Sequence, residues 1–177
     1  KKLASFKGRT KLIVEDLRKL EFQESYEVAV SIDAIHHLPH SEKQSFFRRL
    51  RRGLKANGIF VLADTIGIES GTLQQKNSYL VRDHIQGLIR DRKVSIEEIR
   101  TRLDLKKLAE KEGVEKDYIC RFDVLEKMLK DSGFKEVECF WRYFDDVIFI
   151  ACKEERESAI EKKWLEFAFE REPNDED

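Results

Sequence analysis

The stretch from Tyr26 to Thr65, YEVAVSIDAIHHLPHSEKQSFFRRLRRGLKANGIFVLADT, decides the fold. Its apolar run Val28–Ile32 is short and rich in β-branched residues, which is typical of a strand buried on both faces. A second run of this kind, Ile59–Ala63, follows the turn signal Asn57-Gly58. The two runs predict neighbouring parallel strands joined by a right-handed crossover.

The sequence between the two runs predicts the crossover helix. Ser41 is followed three residues later by Gln44, and this pairing is typical of a capping box. Apolar side chains recur at helical spacing and give the helix one apolar face: Phe46, Phe47, Leu50 and Leu54. In such units ligands bind outside the carboxyl ends of the strands, which directs attention to residues 31–37 and 64–66.

The same residues resemble a known family. Tyr26–Leu38 is similar to the fourth-strand motif of class I methyltransferases that depend on S-adenosylmethionine (SAM), with a pair like His36-His37 after the strand. The turn at Leu54–Phe60 also matches, and the resemblance runs from about Arg9 to Lys153. It implies an α/β fold with a Rossmann-like sheet, SAM as the cofactor, and methyl transfer to an acceptor.

The resemblance also implies which residues bind SAM. Lys11–Glu15 would be the third strand, after which Asp16 would accept a hydrogen bond from the adenine amino group and Leu17 would flank the adenine. Residues after the fourth strand would line the rest of the cofactor site: Ser31, Ile32 and Asp33. The alternative for Asp16 is that it caps a turn or lies on the surface.

The glycine-rich loop with which this family binds SAM has no counterpart here. The eight glycines are scattered, and none opens a helix directly after a strand. The family's strands run in the order 3-2-1-4-5-7-6, so that without strands one and two the fourth strand would have an unpaired edge. We therefore expect the sequence to be the later part of a longer chain; strands supplied from elsewhere, or a rearranged pairing, are the alternatives.

The second half of the sequence predicts a helical insertion at about 73–118, which would cover the acceptor as a lid or pack on the sheet. A helix at Arg121–Ser132, ended by Gly133, precedes a hairpin of Val137–Phe144 and Val147–Cys152. Residues 1–153 then form one domain and 154–177 an added charged helix with an acidic tail. The Trp164 and Phe167 stripe of that helix would pack on its own domain or form a homo-oligomer.

Histidines supply the candidate chemistry. His36 and His37 lie where acceptor and methyl group would meet, so that either could act as a general base; the alternative is that both only position the loop. Together with His40 they also suggest zinc, but no fourth ligand of suitable spacing accompanies them, so no metal site is predicted.

Composition limits the partners. The formal net charge is −1 although 39% of residues are charged, so no basic field favours nucleic acid. A basic group on the crossover helix would suit such an acceptor, but a solvated helix face is the favoured interpretation: Arg48, Arg49, Arg51, Arg52 and Lys55. Three cysteines without metal-like spacing and no long apolar run indicate a cytoplasmic protein without a membrane span.

The sequence thus predicts a SAM-dependent methyltransferase acting on a small-molecule acceptor. The alternatives are a non-catalytic methyltransferase-like partner or scaffold subunit, a SAM-modifying enzyme such as carboxy-SAM synthase, and a metal hydrolase that uses the histidines.

Overall fold

The computed structural model describes residues 8–23, 26–112 and 116–155, without the side chains of Lys106, Ala109 and Glu110. The strands in these ranges are β1 (Tyr26–Ile32), β2 (Leu54–Gly67), β3 (Cys120–Arg121), β4 (Glu136–Tyr143) and β5 (Asp146–Cys152). The helices are α1 (His40–Gly53), α2 (Gly71–Arg90), α3 (Ile96–Lys111) and α4 (Phe122–Asp131), with a single 3-10 turn at Ile35–His37. The helix predicted over 154–177 lies almost entirely outside the described residues.

The sheet confirms the predicted fold class. Its strand order is β1-β2-β5-β4, with β3 paired to the end of β2. β1 and β2 run parallel, with Ile32 opposite Ala63, whereas β5 is antiparallel to both β2 and β4. In the numbering of the resembled family this is the order 4-5-7-6, including the antiparallel hairpin at the end.

The core lies between β2 and the helices α1 and α4. Alternate residues of β2 are buried, as expected for a strand with a different environment on each face. The Phe60 ring lies 6.0 Å from that of Phe47 on α1 and 6.1 Å from that of Phe134 after α4. Each such side chain contributes about 1.5–3 kcal/mol by its burial, so this cluster stabilises the packing of β2 against the helices.

β1 is exposed, and the prediction that it is buried on both faces was wrong. Val28, Val30 and Ile32 are each more than half exposed. Among the described residues β1 pairs only with β2, so that one edge of the strand has no neighbour there. The burial of a strand depends on such a neighbour, and the residues of β1 alone do not show whether one is present.

Three local predictions were also wrong. The segment Lys11–Glu15 forms no strand and leaves Leu12 and Val14 exposed, because no strand in the described chain pairs with it. α1 begins one residue before Ser41, with Pro39 at the N-cap and no capping side chain. Residues 57–58 lie within β2 and do not form a turn between two elements. They fall in an irregular section of the strand, where Tyr26 pairs with Leu54 but Val28 pairs with Ile59.

Other expectations are confirmed. Gly133 has a φ of 97° just after α4, the left-handed conformation expected at that position. The structure also shows a capping box before α3, in which Ser95 and Glu98 exchange two hydrogen bonds. α2 and α3 occupy the predicted insertion, while their role as a lid stays a prediction. None of the helices in the described part of the chain could cross a membrane.

Candidate functional site

The site is built around Asp64, a carboxylate near the carboxyl end of β2. It is only 4% exposed. Its Oδ2 accepts the backbone N–H of His36 at 3.0 Å, and its Oδ1 accepts the N–H of Thr65 at 2.9 Å. A third bond, of 2.5 Å, joins Oδ1 to Nδ1 of the His36 ring. Three donors converge on one carboxylate, which satisfies its charge without solvent.

This arrangement fixes the state of the His36 ring. An ionised carboxylate has no proton to donate, so beside ionised Asp64 the hydrogen of this bond belongs to Nδ1. In the neutral ring Nε2 then keeps its lone pair and can accept a proton or bind a metal ion. The 3-10 turn places the ring there, because Leu38 donates its N–H to the carbonyl of Ile35 and closes the turn.

A second carboxylate lies on the opposite side of the histidine pair. Oδ1 of Asp117 lies 3.1 Å from Nδ1 of His37 and 4.0 Å from Nε2 of His36. The segment that carries Asp117 is tied to the turn, since Tyr118 donates its N–H to the carbonyl of His36 at 2.7 Å. Asp117 had no signal in the sequence, because the segment before β3 has no periodicity that would place it near residue 36.

Lys43 also links the 3-10 turn to the segment that carries Asp117. Its side chain is 1% exposed although it lies on α1, and burial lowers the pKa of its ammonium group. Nζ donates to the carbonyl of Leu38 and, at 2.5 Å, to that of Tyr118. A lysine on an amphipathic helix is normally solvated, so sequence reasoning missed this one.

The residues predicted to bind the cofactor line two cavities beside the histidines. One of about 540 Å³ is lined by Asp16, Leu17, Asp33 and His37. The other, of about 560 Å³, is lined by Ser31, Ile32 and again Leu17. The structure therefore brings three predicted cofactor residues and one predicted base around one cavity, and the other two line the neighbouring cavity along β1, although their roles stay predictions.

Asp16 is engaged within its own turn. Arg18 donates to its carboxylate through Nε and Nη2, and these bonds lower the pKa of Asp16 to about 2. An adenine amino group would have to compete with Arg18 for this acceptor. Asp33 is placed differently, with a φ of 47° and its N–H bonded to the carbonyl of Ala63.

Two of the arginines of α1 bond to backbone carbonyls of the protein, whereas Arg48 and Arg52 are exposed. Arg49 donates to the carbonyls of Leu17 and Leu20 and so holds the turn that carries Asp16. Arg51 donates to the carbonyl of Lys153. These bonds support the interpretation of a structural and solvated helix face over a nucleic-acid site.

Comparison with known proteins gives one family match. Residues 1–62 match the model of the methyltransferase domain family, which is about a third of the chain. The sequence matches no curated protein.

Solved structures share the fold. The SAM-dependent methyltransferase SibL is 10% identical with a TM-score of 0.54, covering 87% of this chain and 39% of that one. The 1,6-didemethyltoxoflavin-N1-methyltransferase of Burkholderia thailandensis is 10% identical with a TM-score of 0.51, covering 86% of this chain and 55% of that one. The chain thus spans roughly half or less of the length of these proteins.

Proposed function

We propose that this chain, which has the class I methyltransferase fold and a methyltransferase-domain match over residues 1–62, takes part in methyl transfer from SAM to a small-molecule acceptor. The cofactor supplies an already activated methyl group, so that the protein's task is to orient the acceptor, exclude water and remove a proton. The toxoflavin-type neighbour is described with a small heterocycle and S-adenosylhomocysteine bound, which supports this class of acceptor.

The observation that carries the proposal is the His36–Asp64 pair. Asp64 accepts the hydrogen bond of Nδ1–H of His36 and leaves Nε2 available. An imidazole held in this way is suited to take the proton of an acceptor hydroxyl or ring N–H as the new bond to the methyl group forms. His37 lines the adjoining cavity and is the second candidate base.

The predicted cofactor residues, which we call the donor half of the site, are less complete than the His36–Asp64 pair, which we call the acceptor half. Asp16 is engaged by Arg18, and the sequence contains no glycine-rich loop. Ser31 and Ile32, two of the predicted cofactor residues, lie on β1, and one edge of that strand has no partner among the described residues. We therefore propose that Asp16, Leu17, Ser31, Ile32 and Asp33 form part of the donor site and that backbone added along β1 completes it.

A non-catalytic partner or scaffold subunit is the second candidate. The exposed apolar side chains of β1 and the engaged Asp16 favour it, since a subunit of this kind would keep the fold without a working donor site. The cytoplasmic location stays a prediction from the cysteines, whose described members are all free thiols.

Titration with SAM and S-adenosylhomocysteine separates these candidates. It should be done by calorimetry on this chain and on any longer natural version of it. Binding by the longer version only would support a donor site completed beyond these residues, and binding by neither would favour the scaffold. Mass spectrometry of the bound ligand would reveal carboxy-SAM if that chemistry applied.

The base is tested separately. In a form of the chain that has methyl-transfer activity, we expect His36→Ala to lower kcat about 10²–10⁴-fold while SAM binding is retained. His40→Ala is the matched control, because His40 is an exposed histidine four residues away. Equal activity of the two variants would remove His36 from the mechanism.

A further inference from the structure

The histidine pair and Asp117 offer three ligand atoms of the kind that bind transition metals. Nitrogen atoms of His36 and His37 and a carboxylate oxygen of Asp117 all lie within 4.8 Å of one another. In a tetrahedral zinc site with bonds of about 2.0–2.2 Å, ligand atoms are about 3.2–3.6 Å apart. The separations of 3.1 Å and 4.0 Å to Asp117 Oδ1 bracket that value.

The hydrogen bond behind His36 is a second, independent observation. A metal-binding histidine nearly always donates its other ring N–H to a carboxylate or carbonyl, which orients the ring and raises its basicity. Asp64 does this for His36 and is itself buried. The lone pair of Nε2, which lies 4.0 Å from Asp117, is therefore oriented before any ligand arrives.

The ligand segments are also fixed relative to each other. Tyr118, next to Asp117, donates its N–H to the carbonyl of His36. The buried ammonium of Lys43 bonds the carbonyls of Leu38 and Tyr118, one on each segment. Two stretches of chain some eighty residues apart are thus joined by two sets of hydrogen bonds next to the ligand cluster, which limits the rearrangement that binding would require.

We propose that His36, His37 and Asp117 form a binding site for one divalent transition metal ion of the zinc class. Two imidazoles and one carboxylate favour zinc, cobalt or nickel over magnesium and calcium, which prefer sites made only of oxygen. His37 and Asp117 are partly exposed, so a fourth position is open to water or a small ligand. The sequence suggested His36, His37 and His40 without a fourth ligand; in the structure Asp117 joins His36 and His37 in place of His40.

This inference goes beyond the proposed function and does not rest on it. A metal ion on Nε2 of His36 uses the lone pair that a general base would need. Metal loading and base action of His36 therefore exclude each other, and a methyltransferase of this design would be inhibited by zinc and restored by a chelator.

The first test is titration of the metal-free chain with Zn²⁺ by calorimetry, repeated with Co²⁺ to record its visible absorption. We expect one ion per chain and the intense visible bands of four-coordinate cobalt. His37→Gln and Asp117→Asn should each weaken binding more than about tenfold. His40→Gln, which changes an exposed histidine outside the cluster, should bind as the parent chain does.

Three results would overturn the site. They are no binding of either ion, equal binding by parent and both ligand variants, and a thiolate-to-cobalt absorption that places the ion on a cysteine. Circular dichroism of each variant distinguishes lost binding from lost folding. Because no SAM or acceptor is present, failure here leaves the proposed methyl transfer untouched.

Discussion

Replacing Asp64 with asparagine tests whether this carboxylate organises the site. Asparagine has the same shape but only one acceptor oxygen. If that oxygen takes the place of Oδ1, the backbone N–H of His36 faces an amide donor; if it takes the place of Oδ2, the N–H of Thr65 does. Either orientation leaves one buried donor without its acceptor.

The expected loss of stability follows from these contacts. A hydrogen bond to a charged group contributes about 1.5–3 kcal/mol, and the bonds that remain become neutral and weaker. We therefore expect Asp64→Asn to lower the free energy of unfolding by about 2–4 kcal/mol. For a chain of this length that is a fall in Tm of about 5–15 °C.

Urea unfolding followed by circular dichroism measures the global effect, and amide hydrogen exchange measures the local one. The N–H of His36 or of Thr65 should exchange faster relative to other protected amides. Asp117→Asn is the matched control, since that carboxylate is partly exposed and should cost less than about 1 kcal/mol. If both variants lose the same stability, or if neither amide changes, Asp64 does not organise the site.

Three further substitutions probe other contacts. Arg18→Ala should raise the pKa of Asp16 from about 2 towards its ordinary value of 3.8, measured by carboxyl NMR titration, and should strengthen SAM binding if Asp16 accepts the adenine amine. Lys43→Met should lower the free energy of unfolding by about 2–4 kcal/mol in urea denaturation, because it leaves two buried carbonyls without their donor. Gly53→Ala should cost about 1–3 kcal/mol in the same assay, because the new Cβ would lie 2.3 Å from Cβ of Phe22.

Each of these has a matched control. Arg48→Ala removes an exposed arginine and should leave the Asp16 titration unchanged. Lys127→Met removes a surface ion pair with Asp131 and should cost less than about 1 kcal/mol. Gly71→Ala places a Cβ where no atom lies within 4 Å, so it should not destabilise the chain. A control that behaves like its test variant would contradict the contact in question.

Local rules and the family resemblance were sufficient for most of the fold. The apolar runs and the glycine after α4 are short-range signals and placed four of the five described strands, whereas the order 4-5-7-6 came from the resemblance. The strand predicted at Lys11–Glu15 failed because β-propensity alone does not form a strand without a neighbouring edge. The exposure of β1 could not be predicted from its sequence either, because it also depends on whether a neighbouring strand is present.

The site was predictable only in part. Topology alone placed His36 and His37 at the end of β1, and the structure brings them beside the cavity that Asp16 and Leu17 line. Asp117 was missed because its approach to His36 depends on how the chain returns after the long helical insertion. Lys43 was missed because its burial results from packing, whereas its position in the sequence is that of a solvated lysine.

The proposed acceptor half of the site depends on fewer elements than the proposed donor half. The parallel register that places Ile32 opposite Ala63 brings Asp64 beside the segment after β1, and the core beneath β2 fixes that register. The His36–Asp64 pair therefore needs only β1, β2 and α1, all of which this chain supplies. The proposed donor half would also need backbone along the edge of β1 that has no partner among the described residues, so we expect proton and metal binding at His36 to survive in a chain that does not bind SAM.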